Sequence, residues 1–502
     1  MQRVWPLVAV LVVSGGACGA APGQQTDLRA AALEGLRRAV SFFRSQVAVH
    51  GTYLWQYSED LALREGEGVA SATQGWVQPP GTPSVGEAFL DAYEATGDPF
   101  YLDAARETAR GLTRGQLQSG GWTYPIEFDP AKRARFAYRD QAAGRGQNAS
   151  TLDDDTTQAA LRFLIRADRA LGFKDAVVHD SVRYGIECLL KAQYPNGAWP
   201  QRWDKFPEPD KFPVKPAAFP ETWPRTWPGN QQYGRFYTLN DNALVTTIQT
   251  LLEASRALAA PVPGNDLSNL ASRCRTAAEK AGEFLLLAQM PEPQPAWAQQ
   301  YDFDMHPVWA RKFEPPAITG GESQAVLRML LELYRQTGQA KYLAPIPRAL
   351  EYLRRSCLPD GRLARFYELR TNRPLYFTRQ YELTYDDTDL PTHYAFKVAD
   401  GTAAIARAFE RLKAGSPRTD SSPAPRQPVR PAAPSLAQVK TILAALDDRG
   451  RWVEQGRLRY HRAPDQPKRV IRTDTFIRNV KLLSRYLAAT QPEALPQPDQ
   501  TW

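Results

Sequence analysis

Gln116-Leu117-Gln118-Ser119-Gly120-Gly121-Trp122 and Gln193-Tyr194-Pro195-Asn196-Gly197-Ala198-Trp199 carry one pattern, a glutamine, a glycine and a tryptophan at identical spacing. Each closes an amphipathic stretch with a tight glycine-aromatic loop. Weaker echoes stand at Gln294-Pro295-Ala296-Trp297, which lacks the glycine, at Asp360-Gly361 leading to Phe366, and at Asp448-Arg449-Gly450-Arg451-Trp452. The chain between successive aromatics has room for two helices and their loops, so the repeating unit is an αα-hairpin. Apolar periodicity predicts helices over 27–47, 84–96, 99–116, 154–171, 178–193, 241–259, 267–289, 322–337, 342–356 and 400–413, with 437–447 and 473–489 beyond them. Strand-like alternation is scarce, and the fold class is all-α. Hairpins that each bury one apolar face stack on their neighbours. A closed (α/α) toroid, or barrel, is expected over an open solenoid because it brings the irregular loops to one rim.

With 43% hydrophobic and 23% charged residues over 502 positions, the chain buries a sizeable core, which excludes general disorder. Its 62 basic residues exceed 54 acidic ones by a net +8 without a dense basic block, which suits an acidic small molecule or polymer and not a nucleic-acid partner. Residues 1–24 read as a secretory signal: Arg3, an apolar run from Val4 to Val13 and a small-residue zone, short of the ~20 apolar positions a spanning helix needs. A secreted or periplasmic monomer without a transmembrane segment is expected, with Cys18 a candidate lipid anchor. The catalytic toroid then spans 25–413, a Pro-rich linker 414–436, and C-terminal helices in 437–502 are expected to complete the ring. Cys188, Cys274 and Cys357 show no C-x-x-C spacing and read as buried apolar residues, with one disulfide left open.

The first helix of successive hairpins is preceded by oxygen-rich segments: Ser150-Thr151-Leu152-Asp153-Asp154-Asp155-Thr156-Thr157, Leu239-Asn240-Asp241-Asn242-Ala243, Thr319-Gly320-Gly321-Glu322-Ser323 and Asp386-Asp387-Thr388-Asp389. Helix capping explains one such residue per helix. Three adjacent carboxylates repel one another, so a cation or acid site competes with capping there. Trp309-Ala310-Arg311-Lys312-Phe313-Glu314-Pro315-Pro316 holds two cations between aromatics, and Arg365, Arg370, Arg373 and Arg379 follow. Each alone reads as a surface cation; together with the acids they suit a carboxylated ligand. Five histidines without an H-E-x-x-H pair, and no nucleophile elbow or Walker or Rossmann glycine pattern, leave those chemistries aside.

Asn196-Gly197-Ala198-Trp199-Pro200-Gln201-Arg202, Leu239-Asn240-Asp241-Asn242, Trp309 to Pro316 and Asp387-Thr388-Asp389-Leu390-Pro391 resemble the family 10 polysaccharide lyases, pectate lyases with an (α/α) toroid, over about residues 40 to 400. The resemblance implies calcium-assisted β-elimination of polygalacturonate, leaving a 4,5-unsaturated non-reducing end. By matching motif it implies Asp153, Asp155 and Asp241 as ligands of Ca²⁺, with Asp154 a fourth, and Arg311 as the base. It further implies that Lys312, Arg365 and Arg379 hold uronate carboxylates, with Arg373 and Asn240 as further substrate contacts, and that Trp199 and Trp309 stack on sugar faces. Arginine is a difficult base, since it keeps its proton above pH ~12. A Lys/Pro/Trp-rich insertion over 205–232 departs from the family pattern and bears on the cleft.

Other classes stay open on the residues. The two Q-x-x-x-G-x-W loops also match triterpene cyclases, in which Asp154 would be a proton donor, although Leu152 stands where their acid motif begins. A non-catalytic uronate-binding protein fits the same cations, and paired carboxylates on a toroid rim also serve inverting glycosidases.

Overall fold

The computed structural model describes residues 22–141, 146–229, 232–259, 264–415, 433–462 and 464–490. The expected signal up to residue 21, Cys18 and most of the expected linker lie outside them. Twelve helices follow one another along the chain as six outer–inner pairs: α1 Pro22–Phe42 then α2 Thr82–Thr96, α3 Pro99–Thr113 then α4 Thr156–Ala170, α5 Ala176–Lys191 then α6 Ala243–Leu258, α7 Ser268–Leu287 then α8 Gly320–Thr337, α9 Ile346–Arg355 then α10 Thr402–Ala414, and α11 Leu436–Ala444 then α12 Thr473–Ala489. The packed helix hairpins run from inner to outer helix across short loops, α2 with α3, α4 with α5 and α6 with α7. The second helices form the inner layer, in contact from α12 through α2, α4, α6 and α8 to α10. The first helices form the outer layer, with α3 against α5 and α5 against α7. The fold is an (α/α) toroid. None of the described helices is long and apolar enough to cross a membrane.

The Q…G…W loops hold this ring together. Gln116 Nε2 donates to the carbonyls of Gly120 (2.9 Å) and Ser181 (3.0 Å), and Gln193 Nε2 to those of Gly197 (3.0 Å) and Ala277 (2.9 Å), so each glutamine ties its own loop to the next outer helix. Trp122, Trp199, Trp297 and Trp452 each donate Nε1–H to a carbonyl near the end of the preceding outer helix, those of Leu112, Leu189, Leu285 and Ile442. The glutamine of the third loop is Gln289, bonded to Pro295 and Pro345 carbonyls, and not Gln294 as the echo suggested. Gly120 and Gly197 take φ near 100°, and a Cβ there would strike Cys188 and the Lys280 carbonyl.

Helix limits depart most from the periodicity at α1, which begins five residues earlier than expected and passes into a π-turn over Phe43–Val47, and at α9, which begins four residues later. Where the acids sit, α4 starts at Thr156 and α6 at Ala243, each two residues late after a single 3₁₀ turn. Sixteen strands of two to four residues, too short to alternate visibly, brace the loops among the described residues. At the C-terminus, Arg469–Arg472 pairs antiparallel with Gln56–Ser58, α12 packs on α1 and α2, and Phe476 stacks on Phe43 with centroids 3.5 Å apart. Cys188 and Cys274 are buried, but Cys357 is exposed, and all three are free thiols.

Candidate active site

Two inner helices begin in the same way. Strand Ser150–Thr151 pairs with Arg202–Trp203, and Tyr237–Thr238 with Gln300–Tyr301. Leu152 N–H then donates to the Gln201 carbonyl (2.8 Å) and Leu239 N–H to that of Gln299 (2.9 Å), with both leucines buried as anchors. The chain next takes two successive left-handed residues, Asp154 and Asp155 (φ 48° and 60°) in one case, Asp241 and Asn242 (φ 47° and 60°) in the other. Asp and Asn tolerate that conformation better than most side chains.

This turn brings Asp153, Asp154 and Asp241 together, with one carboxylate oxygen of each within 4.8 Å of the other two. Asp153 is buried; its Oδ2 accepts from Tyr124 OH (2.9 Å) and lies 3.5 Å from Arg202, while its Oδ1 has no partner. Asp154 accepts from Gln78 Nε2 (2.8 Å). Burial, then the charges of Asp153 and Glu67, push the Asp154 carboxyl up to about 6. Burial, then Asp153, Glu322 and Asp154, push Asp241 up to about 7. Three mutually repelling carboxylates with an orphaned buried oxygen fit a hard cation of the calcium type, which takes oxygen ligands.

Asp155 does not join them. It pairs with Arg162, seven residues on and therefore on the same face of α4, through bonds of 3.0 and 2.5 Å, and that arginine also reaches Thr250. The second left-handed residue swings its side chain away from the other acids.

Arg311 stands beside the cluster, Nη2 3.7 Å from Asp241 Oδ2. Its guanidinium forks onto Glu314, with Nε to Oε2 at 2.8 Å and Nη2 to Oε1 at 2.5 Å. Buried Glu314 also accepts from Tyr394 OH (3.1 Å) and Asn240 Nδ2 (3.3 Å). Burial works against the Arg311 charge, but the bonds and charge of Glu314 outweigh it and hold the proton more tightly than usual. Arg365 sits close by, 3.3 Å from Glu322 and 3.1 Å from Tyr394 OH. Lys312 lies 3.6 Å over the Tyr381 ring, and Arg311, Lys312 and Arg202 line one cavity of about 640 Å³.

Several expected contacts fall elsewhere. Trp199 is buried with its N–H spent on Leu189, and Trp309 is buried with its N–H on the Pro224 carbonyl (2.8 Å), so neither offers a face to a sugar. Asn240 is fully buried between Glu314 and Gln299 and orients them from below. Arg379 is exposed and paired with Asp389, and Arg373 lies on the Tyr385 ring; neither lines the cavity. Residues that sequence reasoning passed over include Glu314 and Arg202, both inside quoted motifs, and Gln78, Tyr124, Glu322 and Tyr394, of which Glu322 had been noted only as one of the helix-start oxygens.

The profile of a family described as Pectic acid lyase matches residues 116–215 and 217–360. No curated protein matches. Among solved structures, a mutant family 10 polysaccharide lyase from Cellvibrio cellulosa in complex with trigalaturonic acid is 22% identical, with 64% of this chain and 98% of that chain covered and a TM-score of 0.45. A cellobiose 2-epimerase from Spirochaeta thermophila is 16% identical, with 68% and 74% covered and a TM-score of 0.40. The profile match, which spans just under half of the chain, takes in both acid-bearing helix starts and the Arg311 segment, and over these residues the chain is similar to the pectic acid lyase family.

Proposed function

We propose that this polysaccharide lyase cleaves α-1,4-linked polygalacturonate by calcium-assisted β-elimination, giving 4,5-unsaturated oligogalacturonides. The observation that carries the reading is the convergence of Asp153, Asp154 and Asp241 within 4.8 Å beside the Arg311 guanidinium. Removing the C5 proton of a uronate builds negative charge on its carboxylate, and positive charge held there lowers the barrier. Asp153, Asp154 and Asp241 would hold Ca²⁺, whose charge neutralises that carboxylate when bound. Lys312 and Arg202 on the cavity wall bind uronate carboxylates, and Arg365 reinforces the field behind Asp241.

Arg311 is assigned as the base. Its fork onto Glu314 keeps the guanidinium charged, so turnover in this role rises toward alkaline pH. The same fork favours a second reading, in which Arg311 stays protonated and stabilises the developing enolate as a cation while hydroxide from the alkaline solvent takes the C5 proton. Export belongs to the proposal as well, with residues 1–24 as the leader; the N-terminal sequence and mass of the exported protein check it and reveal any lipid at Cys18.

The test of the activity is ultraviolet absorbance of the conjugated double bond during incubation with polygalacturonate at alkaline pH. A rise abolished by a calcium chelator is expected. Reducing ends without a rise would instead mean hydrolysis, and binding without turnover a non-catalytic uronate receptor.

A further inference from the structure

The insertion over 205–232, of which 230 and 231 lie outside the described residues, reaches the cavity at Trp227 and Gln232 and is tied down at several points before them. Ala217 and Ala218 N–H groups donate to the Leu287 and Met305 carbonyls (2.8 and 3.1 Å), and Arg370 donates to the Pro220 carbonyl (2.9 Å). Arg225 pairs with Glu368 and donates to Tyr385 OH (2.9 Å). Two reciprocal indole bonds then clamp the insertion to the Arg311 segment: Trp309 donates to the Pro224 carbonyl (2.8 Å) and Trp227 to the Ala310 carbonyl (2.9 Å). A segment anchored at so many points is preorganised, and a ligand that meets it loses little of its binding free energy to ordering.

Half-buried Trp227 lines the cavity together with Arg202, Asp204, Arg235, Arg311 and Lys312. Four cations against one carboxylate make the cavity attractive to anions. Arg202 and Arg311 already face the acid cluster, whereas Arg235 is 60% exposed with its nearest acid, Asp204, 4.0 Å away, and Lys312 forms no ion pair among the described residues. With its N–H spent on Ala310, Trp227 has only its ring to offer, which suits the C–H face of a pyranose.

We infer that Trp227 of the insertion and Arg235 just beyond it form an added uronate subsite, which holds a sugar unit next to the one at Arg311 and sets a preference for longer chains. The inference rests on the lyase reading above. The experiment compares trigalacturonate with hexagalacturonate on the full-length protein and its Trp227→Ala, Trp227→Phe and Arg235→Gln variants. Trp227→Ala is expected to raise KM for the hexamer about tenfold more than for the trimer, about 1.4 kcal/mol, while any loss of kcat from the freed Ala310 carbonyl is shared by both lengths. Arg235→Gln, on an exposed side chain, should do so several-fold, and Trp227→Phe should recover most of the length preference. Equal losses on both lengths, or a fall in kcat alone, overturn the subsite. If the wild type turns over neither oligomer, the lyase reading fails separately, and tryptophan-fluorescence titration with the same oligomers decides the subsite: a hexamer preference lost in Arg235→Gln supports it, and no preference overturns it.

Discussion

Arg311 and Glu314 are locked in a two-bond fork three residues apart in sequence, with the carboxylate buried beneath the guanidinium. Glu314→Gln removes the charge that holds the Arg311 proton. The alkaline limb of the pH–rate profile is therefore expected to move to lower pH if Arg311 is the base, and to stay in place with a lower kcat if Arg311 acts as a cation. Thermal stability should fall by about 1–3 kcal/mol, less than for a fully buried pair, because the Arg311 side chain is 36% exposed and water takes up part of its charge.

The acid cluster predicts effects of opposite sign. Asp153→Asn, Asp154→Asn and Asp241→Asn should each weaken calcium binding roughly tenfold or more. Asp241→Asn should also raise the melting temperature of the metal-free protein, because it removes one of three repelling charges. Asp155→Asn should leave calcium affinity alone, since that carboxylate belongs to Arg162. Calorimetric titration and thermal melts decide, and an equal loss of affinity in Asp155→Asn would count against this ligand set.

Trp199 separates structure from binding. Trp199→Phe strands the Leu189 carbonyl and is expected to cost about 1–3 kcal/mol of stability. The KM for polygalacturonate should stay within about twofold of wild type, since no uniform binding contact is lost. A large KM increase without a change in melting temperature would restore Trp199 as a sugar platform.

His179 bridges Asp168 and Asp266 at 2.8 Å on both ring nitrogens. Burial works to lower its pKa, but the bonds to Asp266 and Asp168 prevail and raise it above the ordinary value. A histidine that holds its proton more tightly when folded stabilises fully below its unfolded pKa of about 6.5 and loses that contribution as pH rises through the folded value. Wild type should thus lose stability across that window relative to His179→Gln, as measured by chemical denaturation at a series of pH values.

Ending the chain after Gly415 removes α11, α12 and the strand that pairs with Gln56–Ser58. Phe43, Phe89 and the faces of α1 and α2 would then meet water. Loss of a single cooperative thermal transition is expected, and an unaltered melt would show that these helices are dispensable.

Helix periods and Q…G…W loops are local signals, so the sequence by itself determined the hairpins, their order and three of the four helix starts where oxygen ligands were expected. Asp386–Asp389 instead stands in a loop ahead of α10, paired through Asp387 with Lys397 and through Asp389 with Arg379. A glutamine or tryptophan at a fixed offset from a glycine finds its carbonyl partners wherever the hairpin stacks. Which acids converge was not local. Asp153, Asp154 and Asp241 meet only because the first and second left-handed residues of two matching turns send consecutive side chains in different directions, and α4 and α6 stand side by side in the ring. The same positioning took Asp155 to Arg162, buried Trp199 and Trp309 as clamps, and brought Gln78 and Tyr394 from other inter-helix connections, and Tyr124 from earlier in the acids' own connection, to the acids and to Glu314. Only tertiary structure decided these, because burial and charge proximity depend on neighbours that the chain supplies from far away.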